Sequence, residues 1–126
     1  MHPELARALD PVLRDLRAGG PPPPRIGEHD WADEEGVASV WLWSADGSGT
    51  GTSVVLGAPL PEQLAHVADQ VHDWAVEELW GTTRTNWPPC PEHPGSHPLV
   101  VRSAGDDVVW ACPLSGATVC RVGELR

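Results

Sequence analysis

The chain has 126 residues, 40% of them apolar, which is enough for one compact domain with a real core, and it carries a formal net charge of −10. That acidity argues against nucleic acid and anionic membrane surfaces as partners, since both need a basic face, and leaves another protein, a basic one by preference. An odd count of three cysteines, no apolar run of membrane-spanning length and an N-terminus without the apolar stretch of a signal peptide together predict a reduced, cytoplasmic protein.

Residues 3–18 place Leu5, Ala8, Leu9, Val12, Leu13 and Leu16 at spacings of three and four, the pattern of an amphipathic helix. Pro11 falls inside the pattern and removes a backbone donor, so a kink or a later start is expected there. "GGPPPP" (19–24) then stops the helix and forms a stiff spacer. "RIGEHDWADEEG" (25–36) reads as an acidic loop in which Glu28, Asp30, Asp33, Glu34 and Glu35 surround Trp31. These six residues are the candidate surface for a basic partner, with Trp31 as its anchor.

"VASVWLW" (37–43) and "TSVVLG" (52–57) are β-rich runs on either side of "SADGSGTG", which predicts a hairpin. Alternation puts Val37, Ser39, Trp41 and Trp43 on one face and Ala38, Val40 and Leu42 on the other. The glycines of "GSGTG" do not form a phosphate cradle, because a strand follows them and not a helix. Residues 60–80 carry the broadest apolar stripe of the chain, from Leu60 through Val67, Val71 and Trp74 to Leu79. Pro61 suits the first turn and Gly81 the stop. His66 and His72 fall on the polar side and are expected to face solvent; six residues apart, they cannot form a helical zinc pair.

The charge changes character after this helix. Residues 1–80 hold fourteen of the eighteen acids against four arginines, whereas residues 81–126 are balanced at four and four. The expected organisation is an acidic α+β body (1–81), a small sheet packed on the long helix, followed by a Cys/His-rich β segment (82–126).

That segment contains "CPEHPGSHP" (90–98) and "CPLSG" (112–116) around "PLVVRSAGDDVVWAC", a hairpin with its turn at Ala104–Asp107. Cys90 and His93 have a chelating spacing, His97 lies in the same proline-stiffened loop, and a strand delivers Cys112. Zn²⁺ accepts thiolate and imidazole alike. The turn, hairpin, second turn and closing strand resemble a zinc ribbon, whose knuckles read Cys-Pro-x-Cys-Gly. His93 stands in the second ligand place of the first knuckle, and Ser115 stands where the second knuckle would have its cysteine. The resemblance therefore implies a zinc site on Cys90, His93 and Cys112 with a recruited fourth ligand: His97 first, Cys120 in reserve. The chain is also similar to short actinobacterial proteins that share "VADQVxxWAVEELW", "WPxCPEHPxxHPL" and "VWxCPxSG", a likeness that implies no activity. The leading expectation is a non-catalytic protein-interaction module with a structural zinc site. The alternatives are a small metal-dependent hydrolase, with an open zinc position and Glu92 as base, and an acidic inhibitor or immunity protein for a basic partner.

Overall fold

A computed structural model describes residues 1–28, 34–80 and 86–126. Of the residues singled out above, Asp30, Trp31, Asp33 and Gly81 lie outside the described residues. The fold is α+β: helices α1 (Pro3–Leu16) and α2 (Leu60–Leu79) and two three-stranded antiparallel sheets. Sheet A orders β1 (Arg25–Gly27), β2 (Val37–Trp43) and β3 (Gly49–Val55), and sheet B orders β4 (Val100–Ala104), β5 (Asp107–Ala111) and β6 (Thr118–Arg121). Among the described residues, no helix is long and apolar enough to cross a membrane.

Helix α1 runs without interruption through Pro11. Leu5, Ala8 and Leu9 before it and Val12 and Leu16 after it are all buried, so packing along one face holds the helix across the missing hydrogen bond. Its first turn is capped by His2, whose Nδ1 accepts from the Glu4 amide at 3.1 Å. Residues 25–27, expected in a loop, instead form β1 against β2, with Arg25 opposite Trp43 and Gly27 opposite Trp41. Strand β3 likewise begins earlier than expected. Gly49 and Gly51 pair with Trp43 and Trp41, and the bare Gly49 leaves room for the Trp43 indole. The turn shrinks to Ser44–Ser48, where Asp46 Oδ1 accepts from the Ser48 amide (2.9 Å) and hydroxyl (2.6 Å).

Ala38, Val40 and Leu42 on one face of β2 are buried, and both helices pack against sheet A. Helix α2 also contacts β4 and β5, so it serves both sheets. This is why its buried surface is wider than the apolar stripe alone. His72, expected in solvent, is 7% exposed; its ring lies 5.4 Å from that of Trp110 and 6.3 Å from that of Trp87. Sheet B and the segment leading into it cover that side of the helix, which one helix's periodicity cannot reveal. His66 does face solvent. One continuous core joins α1, α2 and sheet A to Trp87, Leu99, Val108, Trp110 and Val122, and Cys90 and Cys112 belong to it.

Candidate metal centre

The Cys/His loop is closed at its base. Pro89 and Pro98 form an isolated antiparallel bridge, and the Leu99 amide donates to the Pro88 carbonyl at 2.8 Å. Inside this closure, two tight turns follow in succession: the His93 amide donates to the Cys90 carbonyl and the Ser96 amide to the His93 carbonyl, each at 3.1 Å. Pro91, Pro94 and Pro98, with Pro89 at the closure, restrict the loop further, so little conformational entropy remains to be lost when its side chains converge.

The second knuckle begins where β5 ends. The Cys112 amide donates to the Ala117 carbonyl and the Gly116 amide to the Cys112 carbonyl, both at 2.9 Å. Gly116 has φ of +78°, a left-handed conformation that glycine adopts without strain. This turn points the Ser115 amide at Cys112 Sγ, 3.5 Å away. The Ser115 side chain and then its backbone amide pull the Cys112 thiol down from 9.0 to about 6. At neutral pH the sulfur is therefore a thiolate, the form that ligates metal.

The two knuckles bring Cys90, His93, His97 and Cys112 together, with one ligand atom from each and all four within 4.8 Å of one another. His93 Nδ1 lies 3.7 Å from both Cys90 Sγ and Cys112 Sγ and 3.1 Å from His97 Nε2. A single ring proton cannot serve two sulfurs and a nitrogen at once, whereas a cation at their centre can. The His97 tautomer is fixed from outside the cluster: Nδ1–H donates to the Pro98 carbonyl at 3.1 Å, which leaves the Nε2 lone pair facing the other three donors. Both sulfurs are fully buried and both imidazoles are half-buried. The cluster is thus placed to hold a metal ion.

Other residues of the segment are positioned differently. Ser115 Oγ donates to Glu92 Oε1 at 2.9 Å, so both side chains are engaged with each other on the surface. Cys120 lies on β6 opposite Trp110, outside the group of four. Burial first, then the charges of Asp15 and Glu124, push its thiol up, which keeps it protonated and a poor ligand. Glu28, Glu34 and Glu35 are exposed, as expected of an acidic surface.

One residue that sequence reasoning passed over is central to this half of the molecule. Asp15 is fully buried, and its carboxylate accepts from Trp110 Nε1 (2.7 Å), the Gly123 amide (2.6 Å) and the Leu125 amide (3.0 Å). The signal was present in the sequence: Asp15 sits beside Leu16 on the apolar side of α1, where an acid is out of place. No family model, curated protein or solved structure matches the chain.

Proposed function

We propose that the protein is a non-catalytic protein-interaction module whose fold is completed by a structural Zn²⁺ on Cys90, His93, His97 and Cys112. The observation that carries the reading is the spacing of the donor atoms. With Zn–N of about 2.0 Å and Zn–S of about 2.3 Å, a tetrahedral site separates its nitrogens by about 3.3 Å and nitrogen from sulfur by about 3.5 Å. The distances of 3.1 Å and 3.7 Å fall close to those edges. Two thiolates with two imidazoles suit zinc over the oxygen-seeking cations.

Four protein ligands close the site, with no position left for water or substrate. Glu92, the base required by a hydrolase, is engaged by the Ser115 hydroxyl. The two knuckles joined through β4 and β5, with β6 as the closing strand, support the zinc-ribbon resemblance, here in a form that shares its core with α2. Reduced thiolates fit a cytoplasmic setting. The acidic surface supports a basic protein as partner.

Elemental analysis of tag-free protein tests the reading, with about one zinc per chain expected. Cobalt substitution should give the strong visible bands of tetrahedral thiolate coordination, and Cys90→Ser and Cys112→Ser should each release the metal. Protein without bound metal, or variants that keep full zinc and melt like the parent, would overturn it.

A further inference from the structure

The face of sheet A turned away from the helices carries an arrangement that the metal centre does not use. Trp41 and Trp43 stack there with ring centroids 5.3 Å apart and planes 24° from parallel. Trp43 lies across its neighbouring strands: a Cβ on Gly27 would come within 2.5 Å of its pyrrole nitrogen, and one on Gly49 within 2.5 Å of its benzene ring. Glycines inside strands weaken a sheet, and they are found where another group must approach the backbone closely. Here they let an indole lie flat with one face against the sheet.

Over this ring sits a cation. The guanidinium carbon of Arg25, directly across from Trp43 in the ladder, is 5.8 Å from the indole centroid. That is within the reach of a cation–π interaction. In a chain with eighteen acids, Arg25 forms no ion pair among the described residues. The same side chains, with Ile26, Gly27 and Glu28, line a cleft of about 570 Å³. Glu28 is the carboxylate of that cleft, and Glu34 and Glu35 stand exposed near the start of β2.

We propose that the Trp43 ring is a seat for the guanidinium of an arginine-rich segment of a protein partner, and that Arg25 fills this seat in cis until the partner displaces it. The inference rests on the interaction-module reading and is independent of the metal. Charge complementarity selects the occupant: a body of net charge −10 attracts a cationic chain, and the flat indole distinguishes among cations. A guanidinium is planar and weakly hydrated and stacks on aromatic faces, whereas an ammonium is a compact, strongly hydrated point charge. Arg25 is exposed at the edge of the sheet and holds the seat with no carboxylate partner among the described residues, so a partner's arginine that also meets Glu28, whose Oε1 pairs with the exposed N-terminal ammonium at 3.2 Å, can displace it.

The experiment compares oligoarginine and oligolysine peptides of equal length by fluorescence anisotropy against the zinc-loaded full chain, at low and high salt. Oligoarginine should bind about three- to tenfold tighter than oligolysine, and the preference should persist when salt weakens both. Arg25→Ala, which vacates the seat and also removes one positive charge, should tighten oligoarginine binding several-fold and by more than it tightens oligolysine binding. Trp43→Leu should abolish the preference for arginine. Equal affinity for the two peptides, or an Arg25→Ala variant that binds oligoarginine no better than the parent, overturns the proposal and reduces the attraction to net charge. Because Arg25 is exposed, its variant decides the matter even if Trp43→Leu does not fold. Zinc content measured on the same samples keeps the two readings apart: full zinc without an arginine preference removes the seat and leaves the metal site standing.

Discussion

Cys112 and Cys120 lie eight positions apart in sequence and are held in opposite chemical states. Ser115 draws the first toward thiolate, while burial keeps the second protonated. Cys120→Ala should therefore retain full zinc, whereas His97→Ala, which opens one of four ligand places, should weaken zinc binding by orders of magnitude in a competition titration. The reverse pattern would give the fourth place to Cys120. His72 supplies a second test at this scale. Its Nε2–H donates to the Trp87 carbonyl at 3.0 Å, and burial lowers its pKa below 6.5. The unfolded chain then takes up the proton first. The contribution of the neutral ring is complete above about pH 6.5 and is lost as pH falls through and below that value. His72→Leu should therefore show a shallower loss of urea stability with acid than the parent, by at most about 1.4 kcal/mol per pH unit. The two proteins differ at position 72 alone, so the comparison isolates His72. Identical slopes would exclude it as the titrating group.

Between elements, the buried acid on α1 joins two parts of the chain distant in sequence. Asp15 ties α1 to β5 through Trp110 and to the C-terminal residues through the amides of Gly123 and Leu125. Asp15→Ala would leave three donors without a partner, at a cost of at least about 3 kcal/mol by the usual penalty for such groups. Asp15→Asn keeps an acceptor oxygen and should fall between the parent and the alanine variant in chemical denaturation. Equal stability of all three would show the network to be incidental. Sheet A offers a steric counterpart at Gly49. An alanine there places Cβ 2.5 Å and 2.7 Å from ring atoms of Trp43, so the indole must move. The expected loss is about 1–3 kcal/mol, the range for overpacking, with a change in tryptophan emission that a purely conformational effect of alanine in a strand would not produce.

At the scale of the whole molecule, the metal cluster is a corner of the common core. Cys90 and Cys112 are buried in the same cluster as residues of α1, α2 and sheet A, and Trp87 and Trp110 pack edge to face at 5.5 Å beside His72. Removal of zinc should therefore weaken the entire fold and not only the last forty residues. On the zinc reading proposed above, free zinc at a thousand times its dissociation constant should stabilise the native state by about 4 kcal/mol, and a chelator should abolish that increment. Thermal unfolding should remain a single transition displaced to lower temperature, seen equally by far-ultraviolet circular dichroism and tryptophan emission. Two separated transitions would show that the C-terminal segment folds on its own.

The sequence by itself determined whatever depends on local spacing. The apolar repeats of α1 and α2 follow from 3.6-residue periodicity, and the β2 faces follow from alternation. The hairpin with its turn at Ala104–Asp107 follows from two β-rich runs around a glycine. Cys90, His93 and His97 could be read together because they lie in one short, stiff loop, and Cys112 because its knuckle matched in frame. Tertiary structure decided what depends on which surfaces meet. His72 is polar by helical position, yet two tryptophans from another part of the chain cover it. Residues 25–27 became a strand only because β2 offers an edge opposite Trp41 and Trp43. Pro11 stays within a helix because buried side chains on both sides of it hold the axis. Asp15 owes its burial to donors almost a hundred residues or more away. That His97 and not Cys120 is grouped with the other three donors likewise depends on three dimensions: loop closure points one lone pair into the cluster, while β6 holds the other thiol outside it. Periodicity records which side of an element is apolar, but only the packing of several elements fixes how much of that side, and which of its polar neighbours, leaves water.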